Sequence, residues 1–228
     1  MDFSKLTGLT IPEGNVSKIT RKSDAAVLWE KVTSRLPSEY QEVEYIFIPT
    51  TAYINTEWVP ADATIFNIKF SAATDGYPFG VGSNPRLAMA YSPTAGSTIY
   101  NTSNETAGIH TFTILRNEIV NIETYSTSRS TDSYVSANGN KKENGKTQSV
   151  YFNTALSMLL GAWQYNATTI RQGVINLYYC KANVGGVDIF EMIPCYRKSD
   201  GVIGMYDLVR KKFFTNAGTG SFTKGADV

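Results

Sequence analysis

The segment from Ile193 to Gly225 constrains the fold most strongly, because it alternates short apolar runs with turn residues. Ser199-Asp200-Gly201 and Asn216-Ala217-Gly218 are turn signals that separate one run from the next. The same pattern recurs from Tyr40 onward, with turn residues roughly every 8 to 12 positions. No sustained apolar stripe at helical spacing interrupts it. The pattern predicts an all-β sandwich or jelly roll of two antiparallel sheets.

The apolar positions of the predicted strands define the expected core. Eight side chains are expected to lie between the two sheets: Phe70, Phe79, Ile114, Leu160, Ile175, Met205, Tyr206 and Phe214. We also expect residues 204–222 to pair with the opening strand near residues 45–48. An unpaired apolar strand at either end of the domain would be an aggregation-prone edge.

Charge and composition argue against several classes of partner. Lys and Arg number 21 and Asp and Glu number 20, so the net charge is +1 and no basic excess suggests nucleic acid. No run of about 18 apolar residues predicts membrane insertion, and residues 1–5 lack the pattern of a secretion signal. Cys180 and Cys195 are too few for a disulfide framework, and two free buried thiols are favoured over a bridge between them.

Residues 1–35 are predicted to be a separate N-terminal β segment, and residues 36–228 the main domain. Residues 16–31 have the pattern of a β-hairpin, whose few apolar side chains cannot form an independent core. The segment must therefore pack against something else. The candidates for an assembly contact are Val27, Leu28 and Trp29. Two alternatives stay open: the hairpin packs on its own main domain, or it contacts another copy or another protein.

Patterns of catalytic residues are sparse. Glu42 and Glu44 have the i, i+2 spacing of strand carboxylates in some jelly-roll glycosidases, but the next position of that pattern is Ile46. His110 is the single histidine, so any Ser-His-Asp or Cys-His site would have to use it. It stands at the start of a predicted strand, where a structural role is favoured. The sequence therefore predicts no catalytic residue.

Metal and cofactor patterns are equally sparse. Asp62, Asp75 and Asp132 lie in predicted loops, but no calcium-loop run of alternating acidic residues is present, so a calcium site is the weaker alternative. One histidine and two distant cysteines do not make a zinc site. Neither a metal nor a cofactor is predicted.

Aromatic residues near predicted turns remain as candidates for ligand binding. Trp163, Tyr165 and Asn166 follow a predicted buried strand, and Trp58 stands near another turn, as do Tyr77 and Tyr100. A sugar ring stacks on an exposed aromatic ring, and amide groups form hydrogen bonds with its hydroxyls. Trp163, Tyr165, Asn166 and Trp58 are therefore the candidate ligand-binding residues. The alternative for Trp163 is that it closes one end of the core.

Two runs near the end of the chain carry a resemblance to a known family. The run P-C-Y-R-K-S-D-G-V-I-G-M-Y-D at residues 194–207, followed by F-F-T-N-A-G-T-G-S-F-T-K-G at residues 213–225, resembles the closing segment of concanavalin A-like, laminin-G-like jelly-roll domains in tail and other virion proteins of bacteriophages and prophages. L-P-S-E-Y-Q-E-V-E-Y-I at residues 36–46 and A-Y-I-N-T at residues 52–56 are similar to the opening strands of those domains. The resemblance implies a concanavalin A-like jelly roll behind a small N-terminal β-hairpin unit.

The resemblance also implies a function and a setting. It implies a non-enzymatic, tail-associated bacteriophage protein that is assembled in the host cytoplasm and resides in the virion. Other virion proteins and further copies of the chain are its implied partners, and host cell-surface carbohydrate is its implied ligand. The main alternative is a purely structural head or tail decoration protein. A glycan-cleaving enzyme that uses Glu42 and Glu44 is a third, weaker alternative. Nucleic acid is not an expected partner.

Overall fold

The protein is all-β throughout the part of the chain that the structure describes. The computed structural model describes residues 18–20, 27–30, 35–83, 85–101, 109–128, 131–145 and 155–228, and each regular element there is a strand. None of these residues belongs to a helix that could span a membrane. The backbone divides into two compact units, residues 1–35 and residues 36–228.

The first unit contains a β-hairpin. Strands β1 (Lys18–Thr20) and β2 (Val27–Glu30) pair in the antiparallel direction, with Ile19 opposite Trp29. This is the N-terminal hairpin that the sequence predicts. The side chains of the three assembly candidates, Val27, Leu28 and Trp29, lie outside the described residues, so the contact expected of them stays a prediction.

The second unit contains two sheets. Its strands are β3 (Tyr40–Glu42), β4 (Ile46–Ile48), β5 (Ile54–Asn55), β6 (Thr64–Ser71), β7 (Gly76–Val81), β8 (Leu87–Tyr91), β9 (Ser97–Asn101), β10 (Ile109–Phe112), β11 (Val120–Ser126), β12 (Tyr134–Ala137), β13 (Asn140–Glu143), β14 (Leu159–Leu160), β15 (Ala162–Gln164), β16 (Ile170–Gln172), β17 (Ile175–Val184), β18 (Val187–Arg197), β19 (Ile203–Asp207), β20 (Lys212–Phe214) and β21 (Thr223–Lys224).

The strand order shows long-range pairing within each sheet. The larger sheet runs β13-β12-β11-β6-β17-β18-β19-β20, with β3 on β18, β4 on β17 and β21 on β4. The smaller sheet runs β10-β9-β8-β7-β14-β5, with β15 pairing with both β7 and β16. The described strand pairs are antiparallel except for β15 with β7, which is parallel. That exception follows from a reversal of the chain at Gly161, between β14 and β15.

The core lies between the two sheets. Along β6, the side chains of Phe66, Ile68 and Phe70 are fully buried, whereas the alternating Asn67 is half-buried. Across the gap, the ring centroid of Phe66 lies 5.0 Å from that of Phe79 on β7. The alternation is what a strand produces when one face meets a core and the other meets solvent. The expected fold, a jelly-roll sandwich of two antiparallel sheets, is confirmed.

One of the eight core residues expected from the sequence lies on the wrong side of its sheet. Tyr206 is buried, but it packs with Leu36, Ile193 and Cys195 in a separate cluster. It follows Met205 on β19, and successive side chains of a strand point to opposite faces. Since Met205 points into the core, Tyr206 must point away from it. The other seven lie in the main core: Phe70, Phe79, Ile114, Leu160, Ile175, Met205 and Phe214.

The two ends of the jelly roll meet, although not through the expected strands. β21 pairs with β4, with Thr223 opposite Phe47, and the amide of Gly225 donates to the carbonyl of Tyr45 at 3.0 Å. A further bridge joins Val43 to Asp227. The pairing partner of the opening strand is therefore residues 223–227 and not residues 204–222, because β19 and β20 extend the hairpin that begins with β18.

The two cysteines are free and lie on opposite faces of the larger sheet. Cys180 belongs to the main core, whereas Cys195 belongs to the cluster around Tyr206. This placement excludes a bridge between them. Burial raises the pKa of the Cys180 thiol well above its usual value and raises the pKa of Cys195 to about 12.

We expect Leu160→Ala to lower the free energy of unfolding by about 2–5 kcal/mol, because a fully buried side chain leaves a cavity between the sheets. Urea denaturation followed by circular dichroism measures the change. Leu115→Ala is the matched control, since that side chain is 62% exposed. Equal losses in the two variants would contradict the assignment of Leu160 to the core.

Candidate functional site

Within the described residues, the single histidine is hydrogen-bonded to an amide side chain and to no candidate nucleophile. His110 is buried, and its Nε2 lies 2.6 Å from the side-chain oxygen of Asn144. It is the register partner of Ile99, whose side chain lies in the core. This places the imidazole on the inner face of β10, where its hydrogen bond serves the packing of the sheet edge. The structural role favoured from the sequence fits this environment.

The two candidate carboxylates do not share one strand. Glu42 ends β3 and is half-buried, whereas Glu44 is exposed in the bend between β3 and β4. The amide of Glu44 donates to the carbonyl of Ala226 at 2.9 Å, which fixes the bend. The i, i+2 geometry of a glycosidase strand pair is therefore not formed at these residues.

The loop aspartate Asp62 serves a structural role. Its carboxylate accepts hydrogen bonds from the amide of Ala63 and from the amide and hydroxyl of Ser128. Burial acts to raise the pKa of Asp62, but the hydrogen bonds from Ser128, Ala63 and Thr127 together outweigh burial and hold that pKa below its ordinary value. Within the described ranges, no group of three or more His, Cys, Asp or Glu side chains is arranged to hold a metal ion.

Trp58 lies in the core and not on a ligand surface. Its side chain is 7% exposed, stacks on Phe66 with ring centroids 6.2 Å apart, and meets the edge of Phe190 at 5.4 Å. The prediction that Trp58 contacts a ligand is therefore wrong. The turn that follows it in sequence suggested exposure, but the ring points back between the sheets.

Asn166 shapes the loop that follows β15. Its side-chain oxygen accepts hydrogen bonds from the amides of Thr168 and Thr169 at 2.9 and 2.8 Å, and from the hydroxyl of Thr168 at 3.1 Å. This is an Asx-type turn, in which the amide side chain closes the loop on itself. The oxygen is thus already engaged within the loop, so a hydrogen bond from Asn166 to a sugar hydroxyl would have to use its side-chain nitrogen.

Trp163 belongs to a row of residues that crosses the outer face of the smaller sheet. Each of five residues is the register partner of the next: Tyr100 on β9, Ala88 on β8, Gly80 on β7, Trp163 on β15 and Arg171 on β16. Directly opposed residues point to the same face of a sheet. The sequence neighbours of Gly80, Phe79 and Val81, point into the core, so the row faces away from it.

The small residues of this row form a trough that holds the indole ring. A Cβ atom on Gly80 would lie 2.6 Å from two indole carbons of Trp163 and 2.7 Å from the methyl of Ala88. The ring therefore lies over β7, where a larger side chain would displace it. Its Nε1 donates to the carbonyl of Gly82 at 2.7 Å, which satisfies the only polar atom of the ring.

Three tyrosines surround the indole. The ring centroids of Tyr77, Tyr100 and Tyr165 lie 5.6, 5.7 and 5.3 Å from that of Trp163. All three tyrosines are half-buried, whereas Trp163 is only 1% exposed. Trp163 is thus the base of a surface aromatic cluster and does not itself offer a ring face to a ligand. It also does not close the end of the core, since it lies outside the core cluster.

Two arginines complete the surface. The guanidinium carbon of Arg171 lies 4.2 Å from the ring centroid of Tyr165, 5.0 Å from Trp163 and 5.6 Å from Tyr77. That of Arg86 lies 4.0 Å from the ring of Tyr100. These are cation–π distances. We call this set the aromatic–arginine platform; it consists of Tyr77, Arg86, Tyr100, Trp163, Tyr165 and Arg171.

The sequence pointed to only part of this platform. Trp163 and Tyr165 were candidate ligand residues, and Tyr77 and Tyr100 were recognised as aromatics near turns. The two arginines carried no recognisable motif. The small residues at positions 80 and 88 were a usable signal, because they leave room for a large ring on the neighbouring strand.

A groove elsewhere on the sandwich is less suited to a ligand. Its volume is roughly 410 Å³, and it runs beside β10 between Thr111 and Lys142. The ammonium of Lys142 already donates to the carbonyl of Thr111 at 2.6 Å, and the side-chain nitrogen of Asn138 donates to the carboxylate of Glu118 at 3.1 Å. Its principal polar groups are therefore paired with one another.

Comparisons with known proteins add little to this geometry. No family model matches the chain, and no curated protein matches it. Among solved structures, the chain is similar to a native heptameric SAP-like pentraxin from Limulus polyphemus, with 11% sequence identity and a TM-score of 0.35. The match covers 62% of this chain and 70% of the pentraxin chain. A similarity of that size carries no argument about function.

We expect Gly80→Ala to displace the indole of Trp163 from its trough, because the added methyl would overlap the ring. The tryptophan fluorescence should shift to longer wavelength as the ring moves toward solvent. The control is Gly139→Ala, where an added Cβ meets no atom within 4 Å, although its φ of +82° favours glycine. That variant should lose some stability with no change in emission. An unchanged spectrum in Gly80→Ala would refute the trough.

Proposed function

We propose that the protein is a non-enzymatic, lectin-like module that binds carbohydrate on the aromatic–arginine platform. The observation that carries this proposal is the row across the smaller sheet, in which small residues seat one indole and bring three half-buried tyrosines around it. Half-buried rings offer apolar faces for sugar C–H groups and phenolic oxygens for sugar hydroxyls.

The rigidity of the platform supports a binding role. Trp163 is fixed by its trough and by the hydrogen bond to Gly82, and the rings around it are held in turn. A ligand that docks on such a surface loses little side-chain entropy from the protein. Four of the six platform residues also lie on strands, which position binding groups more precisely than loops do.

The proposed setting is a bacteriophage or prophage virion, with the ligand on the host cell surface. Its support is the resemblance of residues 36–56 and 194–225 to the jelly-roll domains of phage tail proteins. Those residues lie in β3, β4 and β5 and in the segment from β18 to β21, which frame the sandwich and lie outside the platform. The resemblance therefore bears on the setting and the scaffold, and the platform bears on the ligand.

A structural decoration protein is the second candidate, and one surface favours it. On the side of the larger sheet that faces away from the core, Tyr40, Leu208 and Phe213 are partly buried around Tyr206. The ring of Tyr40 lies 4.8 Å from Tyr206 and 5.0 Å from Phe213. A partly open aromatic cluster of this kind suits a contact between proteins.

Binding to a glycan array separates the two candidates. We expect the purified protein to bind a defined subset of glycans, and Tyr165→Ala and Tyr100→Ala to weaken that binding about tenfold or more, since each removes a ring face. The matched control is Tyr178→Ala, which removes a half-buried tyrosine on the larger sheet, packed on Tyr45. No glycan binding, or an equal loss in the control, would remove the support for the lectin-like function.

The proposed assembly places the N-terminal unit in contact with further copies of the chain or with other virion proteins. We expect Trp29→Ala in the full-length protein to reduce self-association, because aromatic residues dominate interface energies. Light scattering measures the mass, and Lys22→Ala in the same segment is the control. If Trp29→Ala has the mass of the wild type, the hairpin does not hold copies together through this residue.

A further inference from the structure

We propose that the aromatic–arginine platform selects saccharides that carry an anionic group, a carboxylate or a phosphate. This inference rests on the proposed carbohydrate-binding function and specifies its substrate class. It follows from the two platform arginines, whose positive charges are not needed to bind a neutral sugar.

The guanidinium groups of Arg86 and Arg171 have no carboxylate partner among the described residues. Two other arginines of the domain are neutralised within it: Arg197 pairs with Asp200 at 2.6 Å, and Arg210 pairs with the buried carboxylate of Asp207. Each of these pairs lies three residues apart in a turn. Arg171 lies instead on β16 and Arg86 lies immediately before β8, and the neighbours of both guanidinium groups are aromatic rings.

Both guanidinium groups lie against aromatic rings, and within the described residues neither of them donates a hydrogen bond to a protein acceptor. Arg171 contacts three rings within 5.6 Å, and Arg86 contacts the ring of Tyr100 at 4.0 Å. A guanidinium that stacks through its face presents its donors at its edge, where they match the two oxygens of a carboxylate or phosphate. The aromatic contacts therefore leave each arginine ordered for an anionic group that presents two oxygens.

Burial strengthens the effect of these charges. Both arginines are half-buried, so an anion beside them is less screened than it would be in water. The net charge of the chain is only +1, so the protein as a whole attracts anions weakly. Selectivity for an anionic saccharide must then arise at the platform, where the register places Arg171 in the same row as Tyr100 and Trp163.

The test uses the full-length protein and an array on which each glycan backbone appears in three forms: neutral, carboxylated and phosphorylated. The neutral form of each carboxylated glycan is its carboxyl-reduced counterpart, so the two differ at a single group. We expect the anionic forms to bind and the matched neutral forms to bind at least about tenfold more weakly. The two anionic arms show which group the arginines prefer.

The strongest glycan is then titrated against variants that unfold at the wild-type temperature. Arg171→Gln and Arg86→Gln should each weaken binding roughly 10- to 100-fold. The control is Arg116→Gln, which removes the same charge from an exposed position between β10 and β11. Arg171→Lys should remain impaired, because an ammonium keeps the charge but lacks the planar fork.

The outcomes separate this inference from the proposed function. Equal binding of neutral and anionic forms, or wild-type affinity in both glutamine variants, would overturn anion selection and leave the lectin-like function standing. Wild-type affinity in Arg171→Lys would show that any cation suffices and would overturn the role of the guanidinium fork. Failure of every glycan to bind would overturn both proposals together.

Discussion

The buried carboxylate of Asp207 anchors a polar connection between the two sheets of the sandwich. It lies at the end of β19 with no solvent exposure, and one of its oxygens accepts backbone hydrogen bonds from Glu191, Val209 and Arg210. The guanidinium of Arg210 pairs with the other oxygen and donates from Nη1 to the carbonyl of Thr56 at 2.8 Å. Thr56 follows β5 of the smaller sheet. A buried charge is tolerable only when it is paired and hydrogen-bonded, and the arginine that pairs with this one also bonds the chain beside the smaller sheet.

On the outer face of the smaller sheet, the packing is determined by two residues with little or no side chain. Gly80 and Ala88 leave a space that only a flat ring on the neighbouring strand fills, and Trp163 occupies it. The rings and guanidinium groups around the indole take their positions from it. An ordered surface of rings and guanidinium groups thus arises on the outer face of the smaller sheet.

Local sequence patterns predicted the fold better than they predicted the aromatic–arginine platform. Turn residues and alternation identified an all-β sandwich and seven of eight core side chains, because both signals act within a few residues of the chain. Tyr206 was placed on the wrong face because apolar character alone does not give the phase of alternation relative to Met205. The partnership of Trp163 with Gly80 and Arg171 depends on which strands meet and in what register. That is a tertiary property, and no local pattern contains it.

The fold does not depend on the redox potential of its surroundings, because its two cysteines form no disulfide bond. Cys180 and Cys195 are the only cysteines of the chain, both are buried, and the raised pKa of each thiol suppresses the reactive thiolate. The domain has no cross-link for a reductant to break, and an oxidant cannot join thiols that lie on opposite faces of one sheet. The thiols therefore remain free both in a reducing compartment and in an oxidising one. Movement of the protein from one compartment to the other requires no oxidation or reduction of its cysteines.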